Sequence, residues 1–284
     1  MIRSLALLGG LLLAVSASTA ASTDRGQYLH HVEDDTARVT VLYVASTGWA
    51  YHDDDGQLTG VTVELMRRFA DFVDARLGIT LELDFEEESD WSRFYQRVRD
   101  GQGGLFGLGN VTITDARREE LAFSPAYVTN VAVLISGHDV SSLDEPDRIQ
   151  SGFAGLRAMA FESTLHETRL RQLAEVHWPD MPVDLAGSND KIINAAADGS
   201  HFGYIDAYNY YRARDQGQPV RRHPAFDDPG EEFGIIMPLD NDWQLVLEDF
   251  FAADSGLLET DWYRELLETH LGSEVAGILT DQAD

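Results

Sequence analysis

Arg117 closes the run Gly109-Asn110-Val111-Thr112-Ile113-Thr114-Asp115-Ala116, which begins where the apolar residues Leu105, Phe106 and Leu108 give out. Amide, hydroxyl and guanidinium donors in that order can hold a carboxylate. A guanidinium grips one with two parallel hydrogen bonds. Thr114 and Asp115 can begin a helix, whose first N–H groups and dipole favour an anion. Arg118, beside it, reads as a surface residue pairing with Glu119 or Glu120. Residue types exclude other chemistry. Cysteine is absent, so there is no thiol nucleophile, and no Gly-x-Ser-x-Gly elbow occurs. His30-His31 binds metal weakly at best, and Asp53-Asp54-Asp55 lacks the spacing and distant glutamate of a calcium loop. Gly101 to Gly104 lacks the lysine of a phosphate loop. No catalytic residue, metal or cofactor is expected.

Alternating strand and helix patterns must position these groups. Arg38 to Val44 alternates and is β-branched, which predicts a strand, and His52 to Gln57 predicts a turn. Val61, Leu65, Phe69, Phe72, Val73 and Leu77 recur at helical spacing and stop at Gly78. A strand over 79–85 and a helix over 91–99 lead to the strand that delivers Gly109. Beyond the motif, Val128 to Ser136 reads as a long strand. Shorter strands (156–161, 183–185, 202–205) then alternate with helices from Leu165, Lys191 and Ala207. Phe233 to Met237 reads as a returning strand, followed by two amphipathic helices. Such alternation predicts an α/β protein with mostly parallel sheets.

The first residues form a charged start, an apolar segment from Leu5 to Val15 and a small-residue zone from Ser16 to Ser22. That pattern predicts a signal peptide over 1–21, cleaved near Ala20 or Ala21, and a flexible leader over 22–36. The apolar segment is short for a membrane span, and without cysteine there is no lipid anchor. An exported, soluble protein of a bacterial periplasm is expected. Net charge is −28, and Lys191 is the only lysine. That acidity argues against nucleic acid and anionic membranes.

These residues carry a family likeness. The turn Asp55-Gly56-Gln57-Leu58-Thr59-Gly60, the run Thr112-Ile113-Thr114-Asp115-Ala116-Arg117 with Ala122-Phe123-Ser124-Pro125-Ala126-Tyr127, and Ala197-Asp198-Gly199 before Asp206 fall in order. Nearly all of the mature chain resembles the periplasmic solute-binding proteins of ABC importers, in the group that binds polar amino acids. The resemblance implies the type II periplasmic-binding-protein fold: two α/β lobes joined by two crossing strands, with the ligand in the cleft between them. Lobe 1 would take 37–134 and 231–284, and lobe 2 would take 135–230. It further implies that Arg117, with Thr112, Gly109 and Asn110, receives the ligand's α-carboxylate, and that Ser163 and Thr164 add donors from the second lobe. Asp206 would take the α-ammonium. Trp91 matches an aromatic wall, and Trp49 fills or replaces another where the family's tyrosine position holds Ser46. Glu162, Leu165 and Val61-Thr62-Val63-Glu64 depart from the pattern.

The implied function is capture of a small polar solute, most simply an amino acid, by a monomer that delivers it to a membrane permease. Two alternatives share the scaffold. One is a periplasmic dehydratase-like enzyme, with Glu162 as general acid if burial raised its pKa. The other is a ligand-sensing module that signals to a receptor.

Overall fold

The computed structural model describes residues 24–280, so the expected signal peptide over 1–21 lies outside the described residues. The chain starts with β1 (Thr36–Tyr43), a small hairpin of β2 (Tyr51–His52) and β3 (Leu58–Thr59), and α1 (Val61–Leu77). It continues through β4 (Thr80–Glu87), α2 (Trp91–Arg99), β5 (Leu105–Thr112), α3 (Asp115–Arg118), β6 (Ala122–Phe123) and β7 (Val128–Gly137). A second unit follows: α4 (Ile149–Gly152), β8 (Arg157–Phe161), α5 (Leu165–His177), β9 (Val183–Ala186), α6 (Asn189–Ala197), β10 (His201–Asp206), α7 (Ala207–Asp215) and β11 (Val220–Arg222). Then β12 (Asp228–Met237) returns, and α8 (Gln244–Ala252), α9 (Asp261–Leu271) and α10 (Ser273–Thr280) close the chain.

The main path of strands runs β4-β1-β5-β12-β7-β10-β8-β9. Its two ends are parallel, as the alternating pattern predicts: β1 lies parallel to β4 and β5, and β8 parallel to β10 and β9. The middle departs from that expectation. β12 is antiparallel to both β5 and β7, and β7 is antiparallel to β10. The reason is topological. The chain leaves the first lobe on β7 and comes back on β12, so the crossing strands run in opposite directions. Apolar side chains gather accordingly. One group of clusters draws on 37–128 and 233–279. The other draws on 131–226. From the second unit, Tyr208 is buried in the first lobe's core and Tyr211 packs against it.

Local rules explain the elements that hold the site. In α1, Val61, Leu65, Phe69 and Val73 are buried on one face, and Gly78 ends it with φ 69°. Asp90 starts α2 by accepting the Arg93 N–H at 2.7 Å. Burial of Phe94 then forces a glycine on the neighbouring strand, because a Cβ on Gly109 would meet the Phe94 ring at 2.5 Å.

The described part of the expected flexible leader, residues 24–36, is instead strapped to the first lobe. Asp24 pairs with Arg97 at 2.7 Å, Tyr28 donates to Asp240 at 2.5 Å, and the Leu29 N–H donates to Asp242 at 2.8 Å. Polar composition suggested mobility, but Asp24, Tyr28 and the Leu29 and His30 N–H groups each find a charged partner on the lobe surface.

The second lobe contains a buried histidine with a definite pH signature. His223 is fully buried; its Nδ1 accepts the Leu143 N–H at 3.1 Å and its Nε2 lies 2.8 Å from Ser136 Oγ. Both nitrogens are committed to a neutral ring. Burial, reinforced by the Arg221 charge, pushes its pKa down to about 4. An unfolded histidine titrates near 6.5, so the unfolded chain binds more protons between those values. This contribution to stability is present above pH 6.5 and is lost as pH falls towards 4, by about 3 kcal/mol in all. Urea denaturation of His223→Gln should show a flatter stability profile between pH 6.5 and 4 than the parent. Parallel profiles would contradict this.

Candidate ligand-binding cleft

A cavity of about 440 Å³ lies between the lobes. The first lobe lines it with Trp49, Trp91, Gly109, Asn110, Thr112 and Arg117; the second adds Thr164, His166, Asp206, Tyr208 and Asn209; and the crossing strand β12 adds Glu231. Of the ligand contacts implied by the resemblance, Ser163 stays outside. It is exposed, with φ 63°, and borders a smaller recess on the far side of Arg117.

β5 runs through Gly109 and Asn110 to Thr112, so the hydroxyl-rich motif is strand rather than loop. Its end is pinned by the crossing strand, where Phe233 faces Thr112 and the Ile113 N–H donates to Glu232 O at 2.8 Å. The following helix is a single turn, and the Arg117 N–H is taken by the capping Thr114 hydroxyl at 3.2 Å. The expected helix-terminus anion site is therefore too short to matter, and the guanidinium must do that work. Arg117 Nη1 donates to Thr112 O at 2.9 Å. The guanidinium carbon sits 5.6 Å from the Trp91 ring centre and 5.7 Å from that of Tyr95. The two rings stack at 5.5 Å, which gives the cation a fixed aromatic seat. Burial pulls its pKa below the usual guanidinium value, with Tyr95 and Glu231 opposing. Among the described residues, no carboxylate lies within ion-pairing distance of Arg117, in a chain with 49 acidic residues. It is a partly buried cation whose counter-ion has to come from elsewhere.

Opposite Arg117 stands the start of α5. Thr164 lines the cavity, but its hydroxyl donates to Phe161 O at 2.7 Å and does not cap the helix. The expected side-chain donor is thus engaged. The uncapped first-turn amides of this 13-residue helix are what the second lobe offers an anion.

Asp206 ends β10 and precedes α7, whose N-terminus favours its charge. Only 7% of it is exposed. Oδ1 accepts from Asn130 Nδ2 at 2.7 Å and faces His166 Nε2 at 3.2 Å, while Oδ2 has no protein partner among the described residues. His166 Nδ1 receives Arg169 Nη1 at 3.0 Å. An arginine can only donate, so this nitrogen accepts and the Nε2–H is left for Asp206. Arg169 also reaches Glu231 at 2.5 Å and Asp228 at 2.8 Å, and Asn130 bridges Asp206 to Glu231. Asp206 is thereby held by groups on both crossing strands and on α5. Glu231, His166, Asn130 and Arg169 were missed in the sequence. Asp228-Pro229-Gly230-Glu231 begins β12, with a bulge between Pro229 and Glu231.

Trp91 lines the cavity and seats Arg117. Trp49 lies deeper, 1% exposed, packed against Tyr127 and Tyr208. Glu162 is exposed and does not line the cavity. Several cavity residues carry buried polar atoms without partners among the described residues: Trp49 Nε1, Asn189 Oδ1, Asn209 Nδ2 and Arg212 Nε. Folded interiors rarely leave such groups unpaired, and their concentration around one cavity marks it as built for a polar occupant.

Two lobes joined by antiparallel crossing strands, with opposite charges facing one cavity, define a type II two-lobed binding protein. The chain belongs to the bacterial extracellular solute-binding proteins, family 3, which it matches over residues 40–272. Its fold is similar to that of an ancestral arginine-binding protein bound to arginine (TM-score 0.66, 16% identity, covering 83% of this chain and 98% of that one). It is also similar to the arginine-, lysine-, histidine-binding protein ArtJ from Geobacillus stearothermophilus (TM-score 0.64, 16% identity, covering 83% and 95%). A curated relative, membrane-bound lytic murein transglycosylase F from Maricaulis maris (strain MCS10), is 26% identical over 162 residues, 57% of this chain. This chain spans about a third of that relative's length, 33%. Among the described residues, no helix is long and apolar enough to cross a membrane.

Proposed function

We propose that this chain captures a small zwitterionic solute, an amino acid or close analogue, between its lobes in the periplasm and delivers it to the permease of an ABC importer. One observation carries the reading: Arg117, a cation with no carboxylate partner among the described residues, and Asp206, whose Oδ2 is unengaged among them, face the same cavity. A zwitterion neutralises both, and exclusion of water on closure strengthens both contacts. Arg117 would hold the carboxylate with the first-turn amides of α5, and Asp206 the ammonium. Family membership supports the binding role, and the arginine-binding neighbours support an amino acid.

The dehydratase-like reading needs an acid or base in the cleft. Glu162, the acid that reading would use, lies outside it, and His166, which lines it, has both nitrogens engaged by Asp206 and Arg169. A sensing module would use the same contacts, so transport is tested in cells. Calorimetry over the twenty L-amino acids, with mass spectrometry of each mixture after incubation, should find at least one tight solute recovered unchanged. Cells carrying the chain should take up that labelled solute faster than cells without it. Conversion of the solute, or binding without any effect on uptake, would overturn the transport reading.

A further inference from the structure

The first lobe has Ser46 where the family resemblance places an aromatic ring. The ring beside it comes from the other lobe. Tyr208 stands in the first turn of α7, two residues after Asp206, and lines the same cavity. Its side chain leaves its own lobe: it is 4% exposed and packed within the first lobe's core. It meets Trp49 edge to face, with ring centres 5.2 Å apart at 73°. Its hydroxyl accepts from Asn110 Nδ2 at 3.2 Å and lies 3.1 Å from Ser46 Oγ. Either hydroxyl can donate in the second contact, and the Tyr208 oxygen accepts from Asn110 in both cases.

The socket is held in shape. Tyr127 donates to Asn110 Oδ1 at 2.8 Å, which turns the amide's other end towards Tyr208. Asn110 has φ 51°, in the left-handed region that asparagine tolerates better than most residues. A tyrosine at position 46 would occupy the space the Tyr208 hydroxyl needs. Serine there leaves that space and also supplies a hydrogen-bond partner. Both hydrogen-bond partners of the Tyr208 hydroxyl lie across the cleft, so parting the lobes breaks both bonds and returns a buried ring to water.

We propose that Tyr208 is a specificity-determining wall of the cavity lent by the second lobe, and that its docking in the Ser46–Asn110 socket holds the lobes together before any solute arrives. The wall role rests on the solute-binding reading; the docking does not. The cavity is then complete only when the lobes meet, and ligand-free molecules favour that state.

Two measurements separate these parts. Small-angle scattering of the ligand-free protein reads the docking without any solute. Tyr208→Phe keeps the ring and removes both hydrogen bonds, so its radius of gyration should exceed that of the parent. Ser46→Ala should move it the same way by less. Curves identical to the parent for both variants would overturn the docking. A thermal-shift panel of the twenty L-amino acids reads the wall. Tyr208→Phe should weaken the best parent solute about 5- to 10-fold, because a complete cavity must first be assembled. Tyr208→Ala should change the rank order of shifts across the panel. An unchanged order would overturn the wall role. A panel in which the parent shows no shift would overturn the solute-binding reading and the wall with it, leaving the scattering to judge the docking.

Discussion

Arg117→Ala abolishes solute binding under ordinary assay conditions. The guanidinium sits on Trp91 and Tyr95 and has no carboxylate of its own, so a bound carboxylate would be its counter-ion. Truncating one partner of a buried, hydrogen-bonded charge pair costs about 2–5 kcal/mol, or roughly 30-fold to several thousand-fold in affinity. The fold should tolerate the change, because no ion pair among the described residues is lost and the Trp91–Tyr95 stack remains. Arg117→Lys should lie between, since a lysine keeps the charge without the two-pronged geometry. Calorimetry on both variants, with melting temperature as the control for folding, checks this. Parent-like affinity in Arg117→Ala would remove the carboxylate site from the account.

Asp206→Asn should produce the second large effect, and a selective one. Asparagine matches the shape and keeps an oxygen for Asn130 and His166, but it removes the charge that faces the cavity. An α-amino acid should lose about 2–5 kcal/mol of binding, because its ammonium enters a buried site without a counter-charge. The matching carboxylic acid, lacking only the amine, should bind parent and variant alike. Paired titrations of the two ligands give the ratio directly. Equal losses for both would mean that Asp206 holds the site together rather than receiving an ammonium.

The sequence and the structure agree best where local rules dominate. The helix over 61–77 was readable from its apolar spacing and Gly78, and the helix over 91–99 from Asp90 and its apolar face. Arg117, Thr112, Asn110, Gly109, Trp91, Trp49, Thr164 and Asp206 do share one cavity. What sequence could not supply were contacts that depend on the crossing strands. Glu231 sits in a Pro-Gly segment that resembles a turn, and only pairing with β7 makes it strand. Tyr208 reads as one more apolar position of a second-lobe helix, and only the meeting of the lobes shows that it packs in the other core. The hydroxyl of Thr164 and the backbone position of Gly109 carried a different lesson. The resemblance implies ligand contacts there; in the structure the Thr164 hydroxyl bonds to Phe161 O and Gly109 makes room for Phe94. The polar start over 24–36 was read as mobile because composition alone cannot see Arg97, Asp240 and Asp242.

The most direct measurement is a crystal structure of the protein grown with the solute that binds it most tightly. The account predicts that solute in the cavity between the lobes, its carboxylate within hydrogen-bond distance of the Arg117 guanidinium and its ammonium on Asp206 Oδ2. A solute lodged elsewhere, or one that leaves Arg117 and Asp206 untouched, would contradict it.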